Sequence, residues 1–472
     1  MVRYAPRALP VRYVRAVPGA QHLYRLSLTV LGTVLLAHMV GLHGWDGDVL
    51  MDVANGRWIL AHHTVPLSNQ LNPTLRGAFW SEPEWLYGVM VAFFWHLGGR
   101  WGVYWGLMPW LAATVYAVVR VTEPAGRLWG TMLTLAGVIS LHGFMSPRPQ
   151  LVSYALFAVG LWAMQRWRAG VAWPVWTFAA LASVWTQMHP SAILDPLLLV
   201  GEVLFGPRRR GLGPPILLAF LGWSLRPGGV WGTGGLMTTL FAPAIRTTIR
   251  EWAPWQPFSA MGWIFGPWML AVPGVVLVGW HRRDATAVVW ALVGAAMTAL
   301  AVRFAPYFLL GMAAIGGEWL RSPHWMTPVR DRVWTGHLVA GTVAVAALFG
   351  ATVRFPVQVP VAALALLRQA GVHEVLAYYP WGDALDLYGP PSFADGRAEL
   401  WSRQPWWPAY VRTNRGQESP ARFVARWAPR VNAIVWPAGL PGTSQLARNP
   451  QWRHLVTMTS SGQRVSIWLR RP

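Results

Sequence analysis

The sequence predicts an all-α polytopic membrane domain of about eleven transmembrane helices, followed by a small C-terminal α/β domain. Three observations predict it. Apolar residues make up 54% of the 472-residue chain, with 33 Trp among them. Long apolar runs alternate with short loops rich in Arg, the usual signal of cytoplasmic connections. After Ala351 the pattern changes: Pro356 and Pro360 break the apolar run and strand-like stretches appear.

The elements follow in order. Residues 1–22, with Arg3, Arg7, Arg12 and Arg15, read as a cytoplasmic N-terminal segment ahead of a retained first span rather than a cleaved signal. Residues 23–351 read as the transmembrane domain, with apolar runs at 23–43, 85–97, 101–121, 127–145, 150–165, 171–188, 191–206, 212–225, 263–280, 285–302, 304–320 and 334–351. The run at 85–97 is too short: as a helix it rises only about 20 Å, against a hydrocarbon core of roughly 30 Å. If it re-enters or lies at the interface, the loops with Arg166 and Arg168, Arg208 to Arg210, Arg282 and Arg283, and Arg321 to Arg332 all fall on the cytoplasmic side with the N-terminus. Residues 352–472 then form an extracytoplasmic α/β domain. Its elements are an amphipathic helix at Val361 to Gln369, strands at Glu374 to Tyr379 and Val431 to Trp436, and a final pair around Ser460-Ser461-Gly462.

Composition removes several function classes. There is no Cys, so thiolate chemistry and disulfides are excluded. All 39 basic residues are Arg, which excludes lysine bases and Schiff bases but leaves fixed cationic clamps for phosphate or carboxylate. Nearly half the basic residues before position 355 sit in short clusters between apolar runs, so the net charge of +21 reads as topology rather than as a nucleic-acid footprint.

Acids are scarce and gathered. The outer loop 44–84 holds Asp46, Asp48, Asp52, Glu82 and Glu84, five of the chain's 18 acidic residues. Asp48, Asp52 and Gly56 recur every four residues, which places them on one helix face, expected to look into a site. Asp48 is the first candidate for a catalytic carboxylate, since an outward acid just after a span can accept a proton from an attacking hydroxyl. A solvated loop acid or a helix N-cap is the plain alternative. Asp52 is read as a supporting residue or a partner in a divalent-metal site, although two acids alone do not make one, so no metal ligand is assigned, no cofactor is established and a divalent metal stays open. Glu84, between Trp80 and Trp85, suits a sugar contact by hydrogen bonding and stacking, or else an interfacial helix start. Arg148, Arg226 and Arg303 stand singly at outer ends of spans, where they could hold the phosphate of a lipid carrier or reach to headgroups. His189 sits at a break between runs, and Glu251 in the long loop 226–262, with Arg246 or Arg250 as the expected partner.

The order of these landmarks resembles a family. Asp48 with Gly56-Arg57-Trp58-Ile59, Val65-Pro66, Trp80 with Glu84-Trp85-Leu86, Arg148-Pro149-Gln150, Trp185 with His189, Glu251-Trp252, Arg303 and Asp395-Gly396-Arg397 are similar to the string found in bacterial multi-pass proteins related to the GT-C glycosyltransferases. The resemblance implies a GT-C-like membrane fold and a polyprenyl-phosphate sugar as donor. It implies inverting transfer on the outer face of the cell membrane to a glycan, lipid or protein acceptor, with Asp48 as the catalytic acid. Asp52, Glu84, Arg148, His189, Glu251 and Arg303 are then the substrate-binding set. Four positions depart from the group: Asp52 stands where His is typical, Asn69 where a second loop Asp is usual, Gln187 where Asn precedes the His, and Pro190 where Gly follows it. Two other readings use the same residues: a transporter or flippase for a lipid-linked sugar, and a non-catalytic scaffold of an envelope assembly.

Overall fold

The computed structural model describes residues 18–43, 47–230, 249–320, 338, 341, 342, 345, 361–460 and 462–472. Asp46, Arg246, the Arg321 to Arg332 loop and most of the run at 334–351 lie outside the described residues. In chain order the described helices begin with α1 (Pro18–His43), α2 (Gly47–His62), α3 (Trp85–Thr122), α4 (Gly126–Ser140), α5 (Gln150–Arg168), α6 (Thr177–Met188), α7 (Leu194–Phe205) and α8 (Gly213–Ser224). They continue with α9 (Ala260–Arg282), α10 (Ala285–Leu300) and α11 (Ala305–Trp319).

The expectation of about eleven spans is overturned. Among the described residues only Gln21–Gly41, Trp85–Ser140 and Gly262–Arg282 are long and apolar enough to cross a membrane. The reason lies in where the apolar runs break. Short 3-10 turns at Trp173–Trp176 and Pro190–Ile193 cut the middle of the chain, leaving α6, α7 and α8 at 12 residues each. Each such helix rises about 18 Å, well short of a bilayer core. Part of their apolar surface is turned inward, Phe178, Trp185, Leu198 and Leu199 being buried with Phe157 and Val152 of α5, while Val184, Leu204, Leu217 and Leu221 are exposed. Apolar composition cannot distinguish a helix surrounded by lipid from one surrounded by protein.

The run at 85–97 ends at a break inside α3: Gly98 and Gly99 leave helical geometry, with Gly99 at φ +55°, and the chain after them packs back on Phe94, whose ring lies 2.2 Å from where a Cβ of Gly106 would stand. A glycine is required at that left-handed position.

Helix α2 lies directly on α3. A Cβ at Gly56 would stand 2.0 Å from the Gly88 carbonyl oxygen, so the two backbones meet there. The face that carries Asp48 and Asp52 therefore begins at a polar cluster and ends in a packing seam.

Polar residues gather at both ends of α5. Arg148 precedes its first turn, and Arg168 ends it beside Glu202 and Glu318, with Arg208 stacked 3.9 Å over Trp167. Twenty residues of helix place these clusters about 30 Å apart.

The C-terminal part follows as α12 (Val361–Gln369), β1 (Val375–Ala377), α13 (Tyr379–Tyr388), α14 (Ala398–Trp401), α15 (Trp407–Asn414), α16 (Pro420–Trp427), β2 (Ala433–Pro437), α17 (Pro441–Ala447), β3 (Trp452–Ser460) and β4 (Gln463–Arg470). The sheet order is β1-β2-β4-β3, with β1 parallel to β2 and the remaining pairs antiparallel. A dense aromatic core that includes Phe393, Trp401, Trp406, Trp407, Tyr410 and Phe423 fills one side. This unit sits on the start of α2 and on the loop before α3. Asn72 Nδ2 donates to the Ser392 carbonyl, Thr74 Oγ1 to the Phe393 carbonyl, and a Cβ at Gly47 would stand 2.7 Å from Asp383 Oδ2.

Candidate active site

The site is built on chain breaks, where helices end and side chains are released from helical packing. Asp48 lies in the first turn of α2. Arg148 lies in the turn before α5, its N–H donating to the Ser146 carbonyl. Glu251 and Arg303 lie on two 3-10 turns, Arg250–Trp252 and Val302–Phe304, which are tied together by the Val302 N–H donating to Ala253.

These four side chains form one charged chain. Arg148 Nη1 is 3.0 Å from Asp48 Oδ2 and 3.4 Å from Glu251 Oε2, and Arg303 Nη1 donates to Glu251 Oε1. The Arg303 guanidinium also lies 5.0 Å from the centre of the Trp252 ring. Burial alone would raise the Glu251 carboxyl, but Arg303 and Arg148 outweigh it and hold the group below its usual range. Asp48 is the open end, with 40% of its side chain exposed.

A second branch starts at Glu84, just before α3. His189 Nε2 is 3.5 Å from Glu84 Oε1. The tautomer follows from the other ring nitrogen: the Ser191 N–H donates to Nδ1, so Nδ1 must carry the lone pair and Nε2 the proton. Ser191 Oγ, 2.7 Å from Nδ1, accepts from the Tyr307 hydroxyl in turn. Burial, Arg303 and Arg226 hold His189 well below its usual value, so the ring is neutral. Glu84 moves the other way: burial and the neighbouring Glu82 raise it well above the usual carboxylate range, against the pull of Arg303.

Arg226 completes this branch. It is 5% exposed, and its Nε and Nη1 have no hydrogen-bond partner among the described residues. Its position is fixed from outside, by Ser81 Oγ donating to the Pro227 carbonyl and Gln187 Nε2 to the Leu225 carbonyl.

The C-terminal unit supplies a third branch. Burial, then Asp48 and Asp395, raise Asp383 well above its usual range, and the Gly396 N–H donates to it. Arg397 is closed in a buried pair with Asp395, whose Oδ1 also accepts from Trp401 Nε1. Glu399, pushed up to about 7 chiefly by burial, lies beside this pair.

Of the seven residues picked from sequence, Asp48, Arg148, Glu251 and Arg303 are in direct ionic contact, and Glu84 with His189 stands within their electrostatic reach. Asp52 is buried, 3% exposed, with its backbone carbonyl packed against Gly88. One expectation is corrected. Trp80 cannot stack on a sugar, because it is buried with its Nε1 on Glu82 and the Arg397 guanidinium 5.5 Å from its ring centre. Glu251 pairs with Arg148 and Arg303, while its expected partners, Arg246 and the side chain of Arg250, lie outside the described residues. Among the described residues, no three His, Asp or Glu side chains are grouped to hold a metal ion. Sequence reasoning passed over Glu82, Asp383 and Glu399. Glu82 had a signal, since it shares the acidic stretch; nothing in the pattern around Asp383 or Glu399 marks them.

The arrangement combines an accessible carboxylate fixed by a guanidinium with buried carboxyl groups biased towards their neutral forms. Such a site can accept a proton at one point and hydrogen-bond a hydroxyl-rich ligand at others. No protein-family model matches the chain, and no curated protein matches it.

Proposed function

We propose that the protein is a membrane glycosyltransferase that moves a sugar from a polyprenyl-phosphate carrier to an acceptor hydroxyl on the outer face of the cell membrane. The observation that carries the reading is the convergence of Asp48, Arg148, Glu251 and Arg303, from four distant parts of the chain, into one charged chain ending on an accessible carboxylate. Three helices long and apolar enough to cross a bilayer give such an enzyme access to a lipid-linked donor.

In this reading the acceptor oxygen attacks the anomeric carbon and its proton passes to Asp48. The bond from that carbon to the carrier phosphate breaks, and polyprenyl phosphate leaves with the electron pair. Arg148 aims Asp48, while Glu251, itself held by Arg303, fixes Arg148. Glu84 hydrogen-bonds the sugar, with His189 supporting it. The C-terminal unit, through Asp383, covers the start of α2 and forms one wall for the acceptor.

The test is incubation of the protein in nanodiscs with polyprenyl-phosphate sugars and an acceptor mixture. Released polyprenyl phosphate with new glycoside supports transfer. Movement of the intact donor between leaflets without release indicates a flippase, and neither result with any donor rejects both activities.

A further inference from the structure

Charge is sorted by sign in the C-terminal unit. Its six acids, Glu374, Asp383, Asp386, Asp395, Glu399 and Glu418, are buried or half-buried, and none is exposed. Its arginines do the opposite: apart from Arg397, buried with Asp395, every one from Arg368 to Arg471 is exposed. Folding has hidden the carboxylates and left an outer surface of one sign.

The densest part lies at one end of the sheet, where β1, β2 and β3 begin and β4 ends. The pairing of Trp452 with Arg470 and of Ala433 with Leu469 brings Arg430, Arg453, Arg470 and Arg471 to that edge. Arg422 and Arg426, four residues apart on the outer face of α16, extend it, while Ala421, Phe423 and Val424 fill the inner face. Backbone contacts hold the stripe in place. Arg470 Nη1 donates to the Pro429 carbonyl, the Arg471 N–H donates to Gln451, and His373 Nε2 meets the Arg430 carbonyl at 3.0 Å. Glu374, at the same edge, is buried, and burial raises its carboxyl against the pull of Arg430 and His373.

This edge points away from the candidate active site. Strand β1 leads from Val375 and Ala377 into α13, whose Asp383 packs on Gly47 at the start of α2, so the arginines stand at the other end of the strands. What the surface lacks narrows its partner. Among the described residues of the unit, Leu455 is the one exposed large apolar side chain, so there is no wedge to bury in a bilayer. No Trp, Tyr or Phe ring is exposed there for bases to stack on. What remains is a row of guanidiniums, each a planar fork that matches carboxylate or phosphate oxygens. We propose that this edge binds an anionic polysaccharide, with Arg422, Arg426, Arg430, Arg453, Arg470 and Arg471 as its contacts. The surface is separate from the charged chain at Asp48 and does not depend on transfer of a sugar.

The experiment measures binding of fluorescent polygalacturonate to the full chain in nanodiscs of zwitterionic lipid, with dextran as the neutral control. Polygalacturonate is expected to bind and dextran not. Raising salt from about 50 to about 200 mM should weaken binding at least about tenfold, because counterions are released on association. Arg426→Gln, Arg430→Gln, Arg453→Gln and Arg471→Gln together should weaken it at least about tenfold while leaving the melting temperature within about 2 °C, since all four side chains are exposed. The same four positions changed to Lys keep the charge and should bind within about threefold of wild type. Arg464→Gln, about 20 Å away at the opposite end of β4, should bind as wild type does. Equal binding of dextran, a loss smaller than about twofold in the fourfold Gln variant, or equal damage from Arg464→Gln would each overturn the proposal. Tighter binding of anionic vesicles or of a thymidine oligonucleotide than of polygalacturonate would also overturn it, by giving the edge to a membrane or a nucleic acid.

Discussion

Glu251 is the pivot of the charged chain, so its neutralisation is the sharpest perturbation. Two unit charges about 3 Å apart attract by roughly 5 kcal/mol at an effective dielectric of about 20. Arg148, Arg303 and Glu251 keep 23%, 22% and 27% of their side chains exposed, so screening reduces this. Glu251→Gln leaves two guanidiniums without their shared counter-charge and should destabilise the protein by about 2–4 kcal/mol. Arg303→Gln should cost about 1–3 kcal/mol, because Arg148 still neutralises Glu251. The double variant should then lie close to Glu251→Gln alone, a coupling of about 1–3 kcal/mol. Reversible unfolding in mixed micelles, followed by tryptophan fluorescence, reads all four corners of the cycle. Effects that add within about 0.5 kcal/mol would refute the chain as an energetic unit.

The remaining predictions concern packing and pH. Gly56→Ala drives a methyl against the Gly88 carbonyl, so it should destabilise by about 2 kcal/mol or more and lower any Asp48-dependent activity; a melting temperature equal to wild type would contradict the seam. Glu399 has its folded value raised to about 7 from an ordinary value of 4.5, so its stabilising contribution is complete below about pH 4.5 and lost as pH rises to about 7. Being partly exposed, it should account for about 1–2 kcal/mol of that loss, and Glu399→Gln should flatten the profile across this window. His189 is lowered in the fold, so its contribution is present above its unfolded value near 6.5 and lost as pH falls below it. Nitrogen-15 shifts of His189 should show a neutral Nε2–H ring at pH 6; an imidazolium signature there would count against the tautomer argument.

What the sequence disclosed was the chemistry of scarce residues. Asp48, Arg148, Glu251 and Arg303 stood out because charge is rare in an apolar chain, and rarity forces such groups together wherever water is excluded. The C-terminal strands were legible for a different reason: a short apolar run over Val431 to Trp436 and a turn at Gly462 are local signals. The spans were misjudged because local apolarity was taken for lipid contact. Trp185 and Leu199 are as apolar as any lipid-facing residue, yet they are buried against α5. Pairings across 103 residues, as between Arg148 and Glu251, leave no local trace, and Trp80 could not be seen to lie under Arg397 from its place in the loop.

The central claim is that Asp48 receives the acceptor's proton, and its most direct test is release of polyprenyl phosphate from a polyprenyl-phosphate sugar by wild type and Asp48→Asn. The substitution keeps the size of the side chain and should leave the melting temperature within about 2 °C, since an exposed pair is worth no more than about 1 kcal/mol. Release should fall by at least about a hundredfold, the scale of lost general-base catalysis. A folded Asp48→Asn protein that still turns over at a tenth of the wild-type rate or more would contradict the account.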